Sequence, residues 1–241
     1  MTRKIKKGLN HVPNHLALIP DGNRRWSSSH KLEILNGYSK GVKKFIDFSI
    51  WAKGFGVKTL TVWALSTENI KTRGKSELAV LYKLYVNAAK DPEILETLRQ
   101  NDARINVIGN SSLLPKKVTE ALRSLEDKTR NYKEFTINLL IGYGGRDDMV
   151  YAFNRIRNYV MRGGSSEINE NMIVNSMRTA SLPDVDFIIR TSGEMRLSGL
   201  LPWQSDYSEL YFAKKYWPDF KKGDLEKALK VFSERQRRFG R

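Results

Sequence analysis

Six short apolar runs, separated by longer amphipathic stretches, constrain this chain more than anything else in it. HLALIP (15–20), TLTVWAL (59–65), ARINVIG (103–109), FTINLLIGY (135–143), DFIIRTS (186–192) and ELYFA (209–213) are short and rich in branched and aromatic residues. They read as buried strands. Between them, 38–54, 76–100, 113–131, 146–162, 167–180 and 223–237 carry apolar residues at helical period. Apolar strands that alternate with helices belong to a parallel sheet covered on its faces. The expected fold is therefore α/β, with a central, mostly parallel six-stranded sheet flanked by helices. No repeat, low-complexity tract or Pro/Gly/Ser linker divides the 241 residues. Residues 1–241 read as a single domain, with basic residues 1–12 as a flexible tail.

A 40% hydrophobic composition supplies a full core at this length. The chain has no cysteine, which excludes disulfides, thiolate zinc sites and cysteine nucleophiles and fits a reducing compartment. No run approaches the ~18–20 apolar residues of a membrane span, and the first residues lack an apolar signal core. The expectation is a cytoplasmic protein. Forty-two basic against 26 acidic residues leave a net charge of +16. That balance draws polyanions, whether phosphorylated substrates, an anionic membrane surface or nucleic acid. The basic residues are dispersed and no nucleic-acid recognition motif is present, so no nucleic-acid partner is expected.

Open α/β sheets bind ligands beyond the carboxyl ends of their strands, and the polar clusters of this chain fall there. DGNRRW (Asp21, Gly22, Asn23, Arg24, Arg25, Trp26) follows the first strand, and STEN (Ser66–Asn69) follows the second. RTSGEMRLS (Arg190–Ser198) closes the fifth. Arg190 and Arg196, two planar forks around a Thr-Ser-Gly turn, with the hydroxyl of Ser198, form a receiver for a diphosphate. Asp21 stands where Mg²⁺ would bridge protein and phosphate, though Asp-Gly-Asn by itself also reads as a turn. Ser66 and Asn69 are small groups able to orient a substrate, and Glu68 equally reads as a helix-start carboxylate. Glu209 is either a second metal carboxylate or a strand-edge surface residue. There is no GxxxxGK[ST] loop and no GxGxxG after the first strand, and His11, His15 and His30 read as structural or surface residues.

Taken together, HLALIPDGNRRW, TLTVWALSTEN, DFIIRTSGEMRLSGLLPWQSDYSELYF and the terminal RRFG resemble the cis-prenyltransferase family, the undecaprenyl (polyprenyl) diphosphate synthases. The resemblance runs in order from about residue 13 to 240. It implies a homodimer with a hydrophobic tunnel over the sheet, condensing isopentenyl diphosphate onto an allylic prenyl diphosphate with Z geometry. By matching position, Asp21 would hold Mg²⁺ and assist departure of the allylic diphosphate, which Asn23 and Arg25 would grip with their neighbours Gly22, Arg24 and Trp26. Asn69 and Ser66 would position substrate for proton loss. Arg190, Arg196 and Ser198 would bind isopentenyl diphosphate, with Arg238 and Gly240 closing over it. Glu209 would reach the Mg²⁺ from the partner subunit. Leu78, Leu81, Tyr82 and Tyr85, at helical spacing, serve either a core face or the tunnel wall.

The chain departs from the pattern after Trp26. Where the family carries an arginine and a Gly-His pair, this sequence has Ile34 and Gly37-Tyr38, leaving Tyr38 to supply a hydroxyl and neighbouring basic residues the charge. A further arginine of the family falls on Thr72 or Arg73. These changes bear on donor choice and regiochemistry. They keep open a relative with short products or non-head-to-tail condensation, while the retained Asp21 argues against a non-catalytic partner subunit.

Overall fold

The computed structural model describes residues 9–235. β1 (His15–Ile19), β2 (Thr59–Ser66), β3 (Ala103–Ile108), β4 (Phe135–Tyr143), β5 (Phe187–Arg190) and β6 (Glu209–Phe212) form one sheet in the order β3-β4-β2-β1-β5-β6. Every pairing is parallel. All six apolar runs are thus strands, and the sheet is wholly rather than mostly parallel.

The helices follow the expected stretches with three physical differences. The 76–100 stretch is two helices, α4 (Lys75–Ala88) and α5 (Pro92–Gln100). Asp91 accepts from the amides of Glu93 and Ile94 and Pro92 occupies the first turn, a start signal that interrupts the period. DGNRRW is more than a turn. Gly22, at φ 98°, caps α1 (Asn23–Ser29), which runs into α2 (Ile34–Phe55). Likewise α3 (Thr67–Thr72) starts at STEN, with Ser66 Oγ accepting from the Asn69 amide at 2.9 Å and Glu68 in its first turn. The chain continues through α6 (Lys116–Thr129), α7 (Gly145–Met161), α8 (Glu170–Ser176) and α9 (Lys222–Glu234).

Strand alternation divides the core. Leu16, Leu18, Leu60, Val62, Ile105, Ile137 and Ile189 face one side, where buried residues of α2, α4, α6 and α9 meet them. Ala17, Ile19, Leu140 and Ile188 face the other, against Leu182, Val185, Leu200 and Leu201. Residues 9–12 are not separate from this body: Leu9 is buried, and the His11 ring lies 5.1 Å from that of Phe232. The remainder of the expected tail, residues 1–8, lies outside the described residues.

Trp217 ties the fold to the mouth of β1. Its indole N–H donates to the Gly41 carbonyl at 2.9 Å, and its amide donates to the Asp21 carbonyl at 3.0 Å. Phe48 packs edge-on against it at 5.5 Å. One buried aromatic therefore fixes both α2 and the Asp21 turn.

Candidate active site

The Asp21 turn, the start of α3 and the 190–198 loop all lie at the carboxyl ends of β1, β2 and β5. Arg190, the last residue of β5, is 5% exposed. Its Nη2 donates to Asp21 Oδ2 at 2.9 Å, and its Nη1 donates to Ser198 Oγ at 2.9 Å and to the Arg196 carbonyl. The other Asp21 oxygen accepts from the Gly22 amide at 2.6 Å and faces Arg25 Nη2 at 3.3 Å. Partial burial alone would raise the Asp21 carboxyl. The hydrogen bond and charge of Arg190, the Gly22 amide and Arg25 together outweigh it and hold the group below the ordinary carboxylate value.

Arg25 also donates to Ser192 Oγ at 2.7 Å and to Glu194 Oε1 at 2.8 Å. Glu194 receives Arg196 on its second oxygen, and these hydrogen bonds lower its carboxyl. Three arginines thus converge with two carboxylates, a cationic cluster held by hydrogen bonds. Its loop is bent against backbone preference. Ser192, Ser198 and Leu201 sit in the left-handed region at φ 77°, 55° and 43°, a cost of order 1–3 kcal/mol each that collects at functional sites. Ser192 and Gly193 are held there by amide bonds to the Lys215 and Ala213 carbonyls at 2.7 and 2.8 Å.

Glycines bring the helices in close. A Cβ on Gly22 would stand 2.6 Å from Tyr216 Cδ1, one on Gly37 2.4 Å from the Asn23 carbonyl, and one on Gly41 2.4 Å from Asn23 Oδ1. The i,i+4 pair Gly37/Gly41 therefore seats α1 directly on α2. Asn23 donates to the Pro20 carbonyl at 2.9 Å, while its buried Oδ1 has no hydrogen-bond partner among the described residues.

This rim opens into a cavity of about 830 Å³, within the range of small-molecule sites. Asp21, Gly22, Asn23, Arg24, Arg25, Ser66, Asn69, Arg190, Arg196 and Ser198 line its mouth. Phe45 and Ile46 of α2, Leu81, Leu84 and Tyr85 of α4, and Leu122 and Leu125 of α6 continue it as an apolar chamber over the sheet. Of the residues open to either reading, Leu81 and Tyr85 line the chamber, and Leu78 and Tyr82 pack against the core beside it. At β2 the pairing with β4 shifts register around Trp63, Leu65 and Ser66, an irregularity that aims Ser66 toward the mouth.

Other expected residues lie elsewhere. Trp26 is buried outside the lining, stacked on His30 at 4.3 Å and beneath Lys40 at 4.2 Å. Glu209 begins β6 opposite Phe187, whereas the mouth lies at the Arg190 end of the same pairing. Glu209 accepts from Arg235 at 2.6 Å and does not meet Asp21 within one chain. Arg238 and Gly240 lie outside the described residues. Among those residues no group of three or more His, Cys, Asp or Glu side chains converges as a metal site, and no helix is long and apolar enough to cross a membrane. Sequence reasoning passed over Ser192, Glu194 and Glu77. Ser192 and Glu194 lie inside RTSGEMRLS, and the G-x-x-x-G of Gly37 and Gly41 is equally readable. Glu77 carried no local signal.

An arginine rim above an apolar chamber stands at the carboxyl edge of a parallel sheet, a shape and charge that suit an anionic head joined to a hydrocarbon tail. Residues 19–240 match the family model of putative undecaprenyl diphosphate synthases. A tritrans,polycis-undecaprenyl-diphosphate synthase (geranylgeranyl-diphosphate specific) of Pyrococcus horikoshii is 38% identical, covering all of this chain and 91% of its own. An isoprenyl transferase of Thermus thermophilus is 39% identical, covering all of this chain and 93% of its own. Among solved structures, lavandulyl diphosphate synthase from Lavandula x intermedia, in complex with dimethylallyl diphosphate, superposes with a TM-score of 0.91 at 33% identity, covering 95% of this chain and 99% of that one. A probable undecaprenyl diphosphate synthase of Campylobacter jejuni gives 0.77 at 31% identity, covering 97% and 100%. The chain belongs to the undecaprenyl diphosphate synthase family of prenyltransferases.

Proposed function

We infer that this protein condenses isopentenyl diphosphate with an allylic prenyl diphosphate to form a Z-polyprenyl diphosphate, a lipid-carrier precursor. The observation that carries the reading is the continuity of the arginine rim with the apolar cavity of about 830 Å³. A diphosphate is received at the mouth and its hydrocarbon enters a dry chamber. In the reaction the allylic C–O bond breaks and its electron pair leaves with the diphosphate. The isopentenyl double bond attacks the allylic carbon, and a proton is lost from the adduct to restore an alkene. Negative charge grows on the departing group, so preorganised guanidinium and amide donors there lower the barrier.

In this reading Asn23, Arg24 and Arg25, with Gly22 admitting close backbone approach and Trp26 buttressing α1, hold the allylic diphosphate. Arg190, Arg196 and Ser198 hold isopentenyl diphosphate, with Arg238 and Gly240 assigned to its closure. Asn69 and Ser66 orient the adduct for proton loss, and Tyr38 serves the donor side. Mg²⁺ takes one or two carboxylates and completes its shell with phosphate oxygens and water. Asp21 fits that demand: its side chain is 29% exposed at the mouth, and its oxygens keep lone pairs beyond their present partners. Glu209 would add a second carboxylate from the partner subunit of a homodimer. Bound Mg²⁺ would supply Lewis-acid stabilisation of the departing diphosphate. We place the protein in the cytoplasm, and its net charge of +16 suits peripheral rest on an anionic membrane, where a long prenyl product is delivered.

A second reading, short-chain or non-head-to-tail condensation, is kept open by Ile34 and Tyr38 in the cavity lining, and the chain also superposes on a lavandulyl diphosphate synthase in complex with dimethylallyl diphosphate. One assay separates the two: purified protein, Mg²⁺, labelled isopentenyl diphosphate, and dimethylallyl, farnesyl or geranylgeranyl diphosphate. Z-chain extension is the expected result. Condensation of dimethylallyl diphosphate with itself supports the second reading, and no Mg²⁺-dependent incorporation overturns both.

A further inference from the structure

Tyr38 is 7% exposed, and its hydroxyl donates to Glu77 Oε1 at 2.5 Å, bridging α2 to the first turn of α4. Glu77 also faces Arg73 Nε at 3.3 Å and Arg24 Nη1 at 3.7 Å. The Arg73 guanidinium lies 5.7 Å from the centroid of the Tyr38 ring. Phenol, carboxylate and guanidinium therefore form a closed triangle. Tyr38, Arg24 and Arg73 line the cavity mouth, whereas Glu77 stands behind them, outside the lining. A tyrosine hydroxyl can donate one hydrogen bond, and here Glu77 accepts it. Burial, reinforced by that bond, pushes the phenol well above its ordinary value, so the hydroxyl stays protonated. Arg73 is largely buried, and its Nε makes no well-aligned hydrogen bond among the described residues. Its aim rests on the charge of Glu77 and the face of the Tyr38 ring. The neighbouring Ile34 also lines the mouth and brings no charge, leaving the cationic grip of this side to Arg24 and Arg73.

We propose that Tyr38 acts on the allylic diphosphate through Glu77: the phenol locks the carboxylate, and the carboxylate aims Arg73 and Arg24 into the cavity mouth. Tyr38 and Glu77 are positioning residues for the donor half of the site. The inference rests on the prenyl-transfer reading of this cavity.

The test is calorimetric binding of a non-ionising allylic thiolodiphosphate and of isopentenyl diphosphate, with steady-state kinetics alongside. Tyr38→Phe keeps the ring and removes the proton; Glu77→Gln keeps the shape and removes the charge. Each is expected to weaken the allylic analogue about tenfold, to leave isopentenyl diphosphate within about twofold, and to raise the allylic KM more than it lowers kcat. In an Arg73→Ala background the effect of Tyr38→Phe falls to about twofold, because the group it positions is gone. Equal weakening of both ligands would mean general loosening and would overturn the proposal. A full effect of Tyr38→Phe without Arg73 would also overturn it, because the hydroxyl would then act on the ligand directly. Should the native protein bind the analogue yet make no prenyl product, the prenyl-transfer reading fails, while the coupling to Arg73 still decides the proposal.

Discussion

Replacing Asp21 with Asn separates the charge of the mouth from its shape. The amide is nearly isosteric, and its oxygen still accepts from the Gly22 amide, now 2.6 Å away. The 2.9 Å ion pair with Arg190 is lost, leaving a guanidinium whose side chain is 6% exposed without its counter-charge. Removing one partner of a fully buried pair costs about 3–5 kcal/mol, but Asp21 is 29% exposed at the mouth and solvent reaches the pair. The discounted expectation is a loss of about 1–2 kcal/mol. For a chain of this length that lowers Tm by roughly 2–8 °C. Asp21 has its pKa lowered in the fold, so its stabilisation is present above the ordinary carboxylate pKa and disappears as pH falls through the lowered value. Asp21→Asn should flatten that acid limb.

Function should respond in opposite directions. Without Mg²⁺ the Asp21 carboxylate repels a diphosphate, so the variant should bind inorganic diphosphate more tightly than the native protein. With Mg²⁺ its turnover should fall about 10²–10³-fold, the scale of losing one transition-state contact. Thermal melts, metal-free calorimetry and steady-state kinetics read the three effects. Metal-free diphosphate affinity that falls in step with turnover would refute this role, since Asp21 would then serve only to hold Arg190.

Two helical glycines should differ in kind. Gly37→Ala drives a Cβ to 2.4 Å from the Asn23 backbone carbonyl and should cost about 1–3 kcal/mol in denaturant melts. Gly41→Ala meets the movable end of the Asn23 side chain at 2.4 Å, so it should weaken allylic diphosphate binding with a smaller stability loss. Leu122→Phe narrows the chamber and should shorten the product by at least one prenyl unit, read by mass spectrometry; an unchanged product would place the hydrocarbon elsewhere. His15, whose imidazole is lowered by burial against the Thr61 hydroxyl at 2.7 Å, is held neutral. Its contribution to stability is complete above the ordinary histidine pKa and falls as pH drops through the lowered folded value, a slope that His15→Gln should remove from the melting profile.

The six strands were legible because each is short, apolar and bounded by turn residues, and a parallel sheet buries its strands on both faces. The candidate site was legible where its chemistry sits within one loop, as in DGNRRW and RTSGEMRLS. Boundaries set by capping were harder to read. Asp91-Pro92 breaks a period that otherwise runs on, and Gly22 turns an apparent loop into a helix start. Glu77 escaped altogether, since a single glutamate at a helix start is usually solvated. Its meaning comes from Tyr38, 39 residues away in sequence and 2.5 Å away in space.

The order of apolar and amphipathic segments, and the residue types at each strand end, determined the fold class and which loops could bear phosphate chemistry. Periodicity and local motifs act over a few residues, and those features need no longer range. Only the tertiary structure decided that Asp21 is bound by Arg190 while Glu209 lies at the other end of β6, that Leu81 faces the chamber while Leu78 packs beside it, and that the Tyr38 hydroxyl donates its hydrogen bond to Glu77. Each of these depends on how helices dock on the sheet. Docking is set by close approaches such as Gly37 and Gly41 on α1, whose outcome no single segment contains.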